Sequence, residues 1–113
     1  MNSHFSPSPE FSNRGVLITG GGSGIGASLV EAFVRIDAKV AFIDIDVRAS
    51  EALVDKLSPG ASTAPLFLKA DLRNQAELSE AVTAAGDALG GIRVLINNAA
   101  WDDRHDIDTV TSD

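Results

Sequence analysis

Gly15-Val16-Leu17-Ile18-Thr19 runs directly into Gly20-Gly21-Gly22-Ser23-Gly24-Ile25-Gly26. The first five residues are short and almost continuously apolar, the pattern of a strand buried on both faces of a parallel sheet. The glycines make a turn. Beyond it, apolar residues recur at Ile25, Leu29, Phe33 and Ile36. That is helical spacing, with Ser23 as a candidate N-cap. A strand that feeds a glycine turn and then a helix is suited to phosphate. The turn's N–H groups and the positive helix N-terminus converge on a pyrophosphate.

Outward from this unit the same alternation repeats. Asp37-Ala38 closes the first helix and Lys39–Asp44 is a second apolar strand. Arg48–Leu57 carries Ala52, Leu53 and Leu57 on one face and ends at Ser58-Pro59-Gly60. Leu66–Ala70 reads as a third strand. Asn74–Leu89 reads as a third helix with Leu78, Ala81, Val82 and Ala85 inward, stopped by Gly90-Gly91. Ile92–Asn97 is a fourth strand, and Asn98–Asp113 is polar with no clear period. Alternating strands and helices imply right-handed crossovers and a parallel sheet covered on both faces, an α/β doubly wound architecture. In the strand order 3-2-1-4-5-6 the fourth strand is interior. Without a next strand its apolar edge is expected to stay open and to invite pairing. Met1–Asn13, rich in Ser and Pro, reads as a flexible lead before a single partial domain over residues 14–113.

Composition narrows the function. Among 113 residues, 44% are hydrophobic and 22% charged, the balance of a globular domain. The nine Lys and Arg are scattered and the net charge is −7, which argues against nucleic acid. The absence of cysteine removes disulfides, thiolate metal sites and a cysteine nucleophile. No metal site is expected. No apolar run approaches the roughly 18 residues of a membrane helix, and the N-terminus lacks the apolar core of a signal peptide. No membrane contact is expected, and the cytoplasm is the default location.

Each glycine of the turn has a reading. Gly20 permits the tight exit from the strand, Gly24 lets the backbone approach a pyrophosphate, and Gly26 lets the helix pack closely. Thr19 can hydrogen-bond across the turn. The spacing is Gly-x-x-x-Gly-x-Gly, and no Gly-Lys-[Ser/Thr] follows, which excludes a P-loop. A flexible turn is the plainer alternative. Asp44 ends the second strand 18 positions after Gly26. An acidic residue roughly 20 positions beyond such glycines accepts hydrogen bonds from the adenosine ribose. A carboxylate there repels a 2′-phosphate, and the turn holds no basic residue, so NAD is expected over NADP. Asp44 and Asp46 can also be read as polar residues facing water. Asp71-Leu72 follows the third strand, where Asp71 can accept from the adenine amine and Leu72 can pack on the ring. Asp71 can equally cap a helix. Asn97-Asn98-Ala99-Ala100 follows the fourth strand. Small residues there leave room for a ligand, and the Asn side chains can brace neighbouring strands.

Taken together, Thr19-Gly20-x-x-x-Gly24-Ile25-Gly26, Asp44, Asp71-Leu72 and Asn97-Asn98-Ala99 resemble the short-chain dehydrogenase/reductase family, from about Arg14 to Ala100. The resemblance implies a Rossmann-type fold, truncated after its fourth strand, and a nicotinamide cofactor, NAD. Thr19 to Gly26, including Ser23, would hold the pyrophosphate, Asp44 the ribose, Asp71 and Leu72 the adenine, and Asn98 and Ala99 the middle of the cofactor. Ala100 departs from the Gly that usually ends the fourth motif. Family chains are longer, and their catalytic Ser, Tyr-x-x-x-Lys and helper Asn fall in the second half. None can be placed here, and the sequence has no Tyr. No catalytic residue is therefore assigned. Ala99-Ala100-Trp101-Asp102-Asp103-Arg104-His105 is similar to a segment of the family's bacterial sugar dehydrogenases that oxidise the anomeric carbon of aldoses such as xylose or galactose. Those typically carry Asn-Asp-Asp-Arg-His, so Trp101 departs at its first position. The same residues also suit a solvated loop with a local ion pair.

Two functions remain open. One is the NAD-binding half of a dehydrogenase acting on a secondary alcohol or sugar, homo-oligomeric in full-length relatives. The other is a non-catalytic nucleotide-binding half-domain or inactive gene fragment. A methyltransferase also uses a glycine turn and an acidic second-strand end, but Thr19-Gly20, Gly24-Ile25-Gly26 and Asn97-Asn98-Ala99 argue against it.

Overall fold

In the computed structural model, which describes residues 8–22 and 24–98, the chain alternates strand and helix throughout. The elements are β1 (Gly15–Thr19), α1 (Gly24–Arg35), β2 (Lys39–Asp44), α2 (Val47–Leu57), β3 (Leu66–Lys69), α3 (Gln75–Leu89) and β4 (Val94–Asn97). The four strands form one parallel sheet in the order β3-β2-β1-β4. The chain moves outward from β1 to β3, then crosses back to lay β4 on the other side of β1. The doubly wound expectation therefore holds. The third and fourth strands are shorter than the apolar runs suggest, because Ala70, Ile92 and Arg93 fall outside the ladder.

Period-two side chains divide the core into two layers. Val16, Ile18, Val40 and Phe42 face α1 and α2, where Val30, Val34, Leu53 and Leu57 cover them. Leu17, Ala41 and Ile43 face α3, where Ala81, Ala85 and Leu89 cover them. β1 lies between β2 and β4, and all five of its residues are buried. Continuous apolarity is what such a strand needs. Among the described residues β4 is paired on one side only, and Leu95 on its flank is 60% exposed.

The buried face of α1 is turned by one residue, about 100°, from the expected one, whereas α3 buries Ala81 and Ala85 as expected. α1 buries Gly26, Val30 and Val34, whereas Ile25 is 73% exposed. Gly26 packs closely against Gly20 of the preceding turn. Leu29 and Phe33 flank the core instead of centring on it. α2 buries Ser50, Leu53 and Leu57, and Ala52 faces outward. α3 is capped by Asn74, whose side chain accepts from the Glu77 amide at 3.1 Å, and ends on Gly90 in the left-handed conformation.

The lead expected to be flexible is anchored in its described part. Residues 9–13 form a turn lying against the C-terminal end of α1. The Ser8 amide donates to Ile36 O, the Asn13 amide to Asp37 O, and Ser12 Oγ to Asp37 Oδ2 at 2.9 Å. Phe11 meets Phe33 edge-on, with ring centroids 5.5 Å apart. This half-buried aromatic contact helps hold residues 9–13 against α1.

Candidate functional site

The parallel register brings the strands' carboxyl ends level. Thr19 pairs with Ile43 on one side and Asn97 on the other, and Asp44 pairs with Lys69. The direction in which strands are added to the sheet reverses between β1 and β4, and ligands of open α/β sheets bind in the crevice at that switch.

The glycine turn is tied to the strands that flank it. The Gly20 amide donates to Ile43 O at 2.7 Å. Asn98 Nδ2 donates to Gly20 O at 3.1 Å, the brace expected of an Asn at this strand end. Thr19 Oγ1 donates to Asn97 Oδ1 at 2.7 Å, so this hydroxyl joins β1 to β4 instead of spanning the turn. A Cβ on Gly26 would lie 1.8 Å from Gly20 O, a backbone atom. Only glycine lets α1 start so near the turn. Gly24 differs: it has φ +58°, and a Cβ there would meet nothing within 4 Å. The Cβ side of Gly24 is thus open at the N-terminus of α1, and a helix N-terminus is the kind of place that receives an anion. The Gly20 and Gly22 amides are taken by Ile43 O and Asp44 Oδ2, so the donors that suit an anion here are the first-turn amides of α1.

Asp44 reaches into the same turn. Its Oδ2 accepts the Gly22 amide at 2.8 Å and its Oδ1 the Asp46 amide at 2.9 Å. Asp46 caps α2 by accepting from the Ala49 amide, so the two acidic residues have separate structural tasks. Beneath Gly22 lies Ser50, fully buried, its hydroxyl without a hydrogen-bond partner.

At the third strand's end, Asp71 does not cap α3, since Asn74 does. Its Oδ1 accepts the Arg73 amide at 3.0 Å and the Arg73 guanidinium pairs with the carboxylate. The Arg73 amide, aided by the guanidinium, holds the Asp71 carboxyl below the usual carboxylate range. Leu72 is half-buried against the α3 side of the core.

Thr19, Gly20, Gly24, Ile25, Gly26, Asp44 and Asn98 thus border one end of the sheet, with Asp71 and Leu72 after β3. Ser23, Ala99 and the Trp101–His105 segment lie outside the described residues. Two further residues lie here that apolar patterning does not mark, the buried Ser50 and the exposed Ile45 (55% exposed, next to Asp44). Ser50 at helical spacing from Leu53 and Leu57 was the available signal. Among the described residues no cluster of metal-ligating groups exists, and no helix is long and apolar enough to cross a membrane.

Comparison with known proteins gives a consistent result. The family model described as short chain dehydrogenase matches residues 14–113. The chain is 51% identical over 105 residues to the probable galactose dehydrogenase GalD of Rhizobium meliloti, covering 93% of this chain and 41% of that protein. It is 43% identical over 103 residues to D-xylose 1-dehydrogenase of Caulobacter vibrioides, covering 91% and 40% respectively. A hydroxysteroid dehydrogenase from Escherichia coli superposes with a TM-score of 0.74 at 29% identity, covering 80% of this chain and 38% of that one. The chain spans about two fifths of the length of the curated relatives it matches.

Proposed function

This chain belongs to the short-chain dehydrogenase family, and from that premise we propose that it is the NAD-binding half of a dehydrogenase acting on a sugar or secondary alcohol. The observation that carries the reading is Asp44. Its carboxylate ends β2 and accepts the Gly22 amide at 2.8 Å, so it stands where the turn and the adenosine ribose would meet. A carboxylate accepts two ribose hydroxyls and repels a 2′-phosphate. No Lys or Arg lies between Thr19 and Gly26 to reverse that preference.

In this reading the first-turn amides of α1 bind the pyrophosphate. Asp44 orients the ribose, Asp71 and Leu72 border the adenine, and Asn98 with Ala99 lines the middle of the cofactor. Bound NAD supplies a ring that accepts a hydride from the alcohol carbon. The galactose and xylose dehydrogenases among the relatives support an aldose as substrate.

The sequence contains no Tyr, so this piece offers no phenol for the family's acid–base step. Calorimetric titration of the chain with NAD and NADP tests the cofactor assignment. Tighter binding of NAD is expected. Tighter NADP, or no uptake of either, overturns it.

A further inference from the structure

Ser50 is the one described side chain with a fully buried oxygen or nitrogen and no hydrogen-bond partner. It lies on the inner face of α2, between Asp46, which caps that helix, and Leu53 in the core. Its place is defined by Gly22. A Cβ on Gly22 would stand 2.5 Å from Ser50 Oγ and 2.9 Å from Asp44 Oδ2. The hydroxyl and the carboxylate thus border one small space under the glycine turn, and the bare Cα of Gly22 roofs it.

A buried hydroxyl with no partner is costly, and alanine fills nearly the same volume without that cost. The group makes physical sense if it gains an acceptor in another state of the site. Asp44 is the adjacent acceptor. In the free protein each of its oxygens takes one backbone amide, from Gly22 and Asp46. A carboxylate has about four lone-pair sites and can take further donors. A ribose engaging the carboxylate would add hydroxyl donors and compete with the Gly22 amide for it. The inner oxygen then needs a donor on its buried flank, and a hydroxyl rotor can turn to meet it.

We propose that Ser50 is a positioning residue for Asp44, its hydroxyl donating to the carboxylate when that carboxylate engages the adenosine ribose. The role rests on the NAD reading above and adds a residue to it. Ser50 touches no cofactor. It fixes the direction of the group that does.

The test is a double-mutant cycle on the full 113-residue chain with Ser50→Ala, Asp44→Asn and the pair, each titrated calorimetrically with NAD and unfolded thermally without it. Asn keeps an acceptor for the Gly22 amide but not the charge. Ser50→Ala is expected to weaken NAD binding about tenfold, the loss of one hydrogen bond to a charged group. It should leave the nucleotide-free Tm unchanged or higher, because no bond is lost in that state. In the Asp44→Asn background the effect of Ser50→Ala should shrink to less than about twofold, since coupled residues are non-additive. Wild-type affinity in Ser50→Ala overturns the inference, as does an equal loss in both backgrounds. A lowered Tm with NAD affinity intact also overturns it, by showing the hydroxyl already satisfied in the free fold. A wild-type chain that takes up no NAD fails the underlying reading, and Ser50's role with it. A chain that binds NAD but ignores Ser50→Ala fails only the role of Ser50.

Discussion

Asn98 and Gly26 converge on one atom, the carbonyl oxygen of Gly20. Asn98 Nδ2 donates to it at 3.1 Å, and a Cβ on Gly26 would overlap it at 1.8 Å. Gly26→Ala must therefore displace backbone. It should destabilise the fold by more than about 2 kcal/mol, as overpacking does, and should abolish NAD uptake. Gly24→Ala meets open space and has only the left-handed backbone to oppose it, about 1–2 kcal/mol. Asn98→Ala should cost about 1 kcal/mol. Thermal unfolding of the three variants gives the ranking. Equal losses at Gly24 and Gly26 would contradict the packing argument.

Cofactor preference should follow the charge at position 44. Asp44→Ala combined with Ile45→Arg is expected to move the preference from NAD towards NADP, because the repelling carboxylate is replaced by an attracting guanidinium. The ratio of the two dissociation constants is the measurement. A ratio unchanged from wild type would remove Asp44 from the selectivity argument.

The isolated chain should show no dehydrogenase turnover on aldoses or secondary alcohols. The motivation is a sequence without Tyr. Absorbance of the reduced nicotinamide, followed with a panel of sugars and alcohols, decides the matter. Turnover that co-purifies with the chain and vanishes in Gly26→Ala would sink the expectation.

Acid should weaken the junction of α1 with α2. Glu31 accepts from Arg35 Nε at 3.0 Å and lies 3.8 Å from Lys56 Nζ on α2. The Arg35 hydrogen bond, helped by both cations against partial burial, holds the Glu31 carboxyl below its ordinary value. A depressed folded value means the stabilisation is present near neutrality and fades as pH falls through that value. Glu31→Gln should therefore cost about 0.5 kcal/mol near neutral pH and nothing in strong acid. Chemical denaturation at several pH values would reveal a constant difference if the pair were inert.

Much of the architecture is legible because strand burial and sequence coincide. Val16-Leu17-Ile18 and Val40–Ile43 are buried on both faces and read as apolar runs. The helix faces are less legible, because Gly26 and Ser50 occupy core-side positions without being apolar. Contact distance, not hydrophobicity, places them there. Capping choice was ambiguous between Asp71 and Asn74, both suitable acceptors three residues apart. The contact of Phe11 with Phe33 is not legible, because no local pattern announces a partner 22 residues along the chain. Asp44 was legible by spacing. Its hold on Gly22 was not, since a hydrogen bond across 22 residues is a product of the folded turn.

The seam between β1 and β4 also shapes how the molecule assembles. Thr19 finds Asn97, and Asn98 finds Gly20, each across 78 residues, whereas β1 and β2 are neighbours joined by a single helix. Contacts that close long loops are entropically late, and distant pairings slow folding. The β1–α1–β2 unit is therefore expected to form before β4 docks. The crevice acquires its second wall only in that docking, so regain of NAD binding during refolding should lag behind regain of helical signal. In the NAD-binding reading, capture of the dinucleotide would then report that β4 has docked on β1, and the ligand would act as a clasp across that seam.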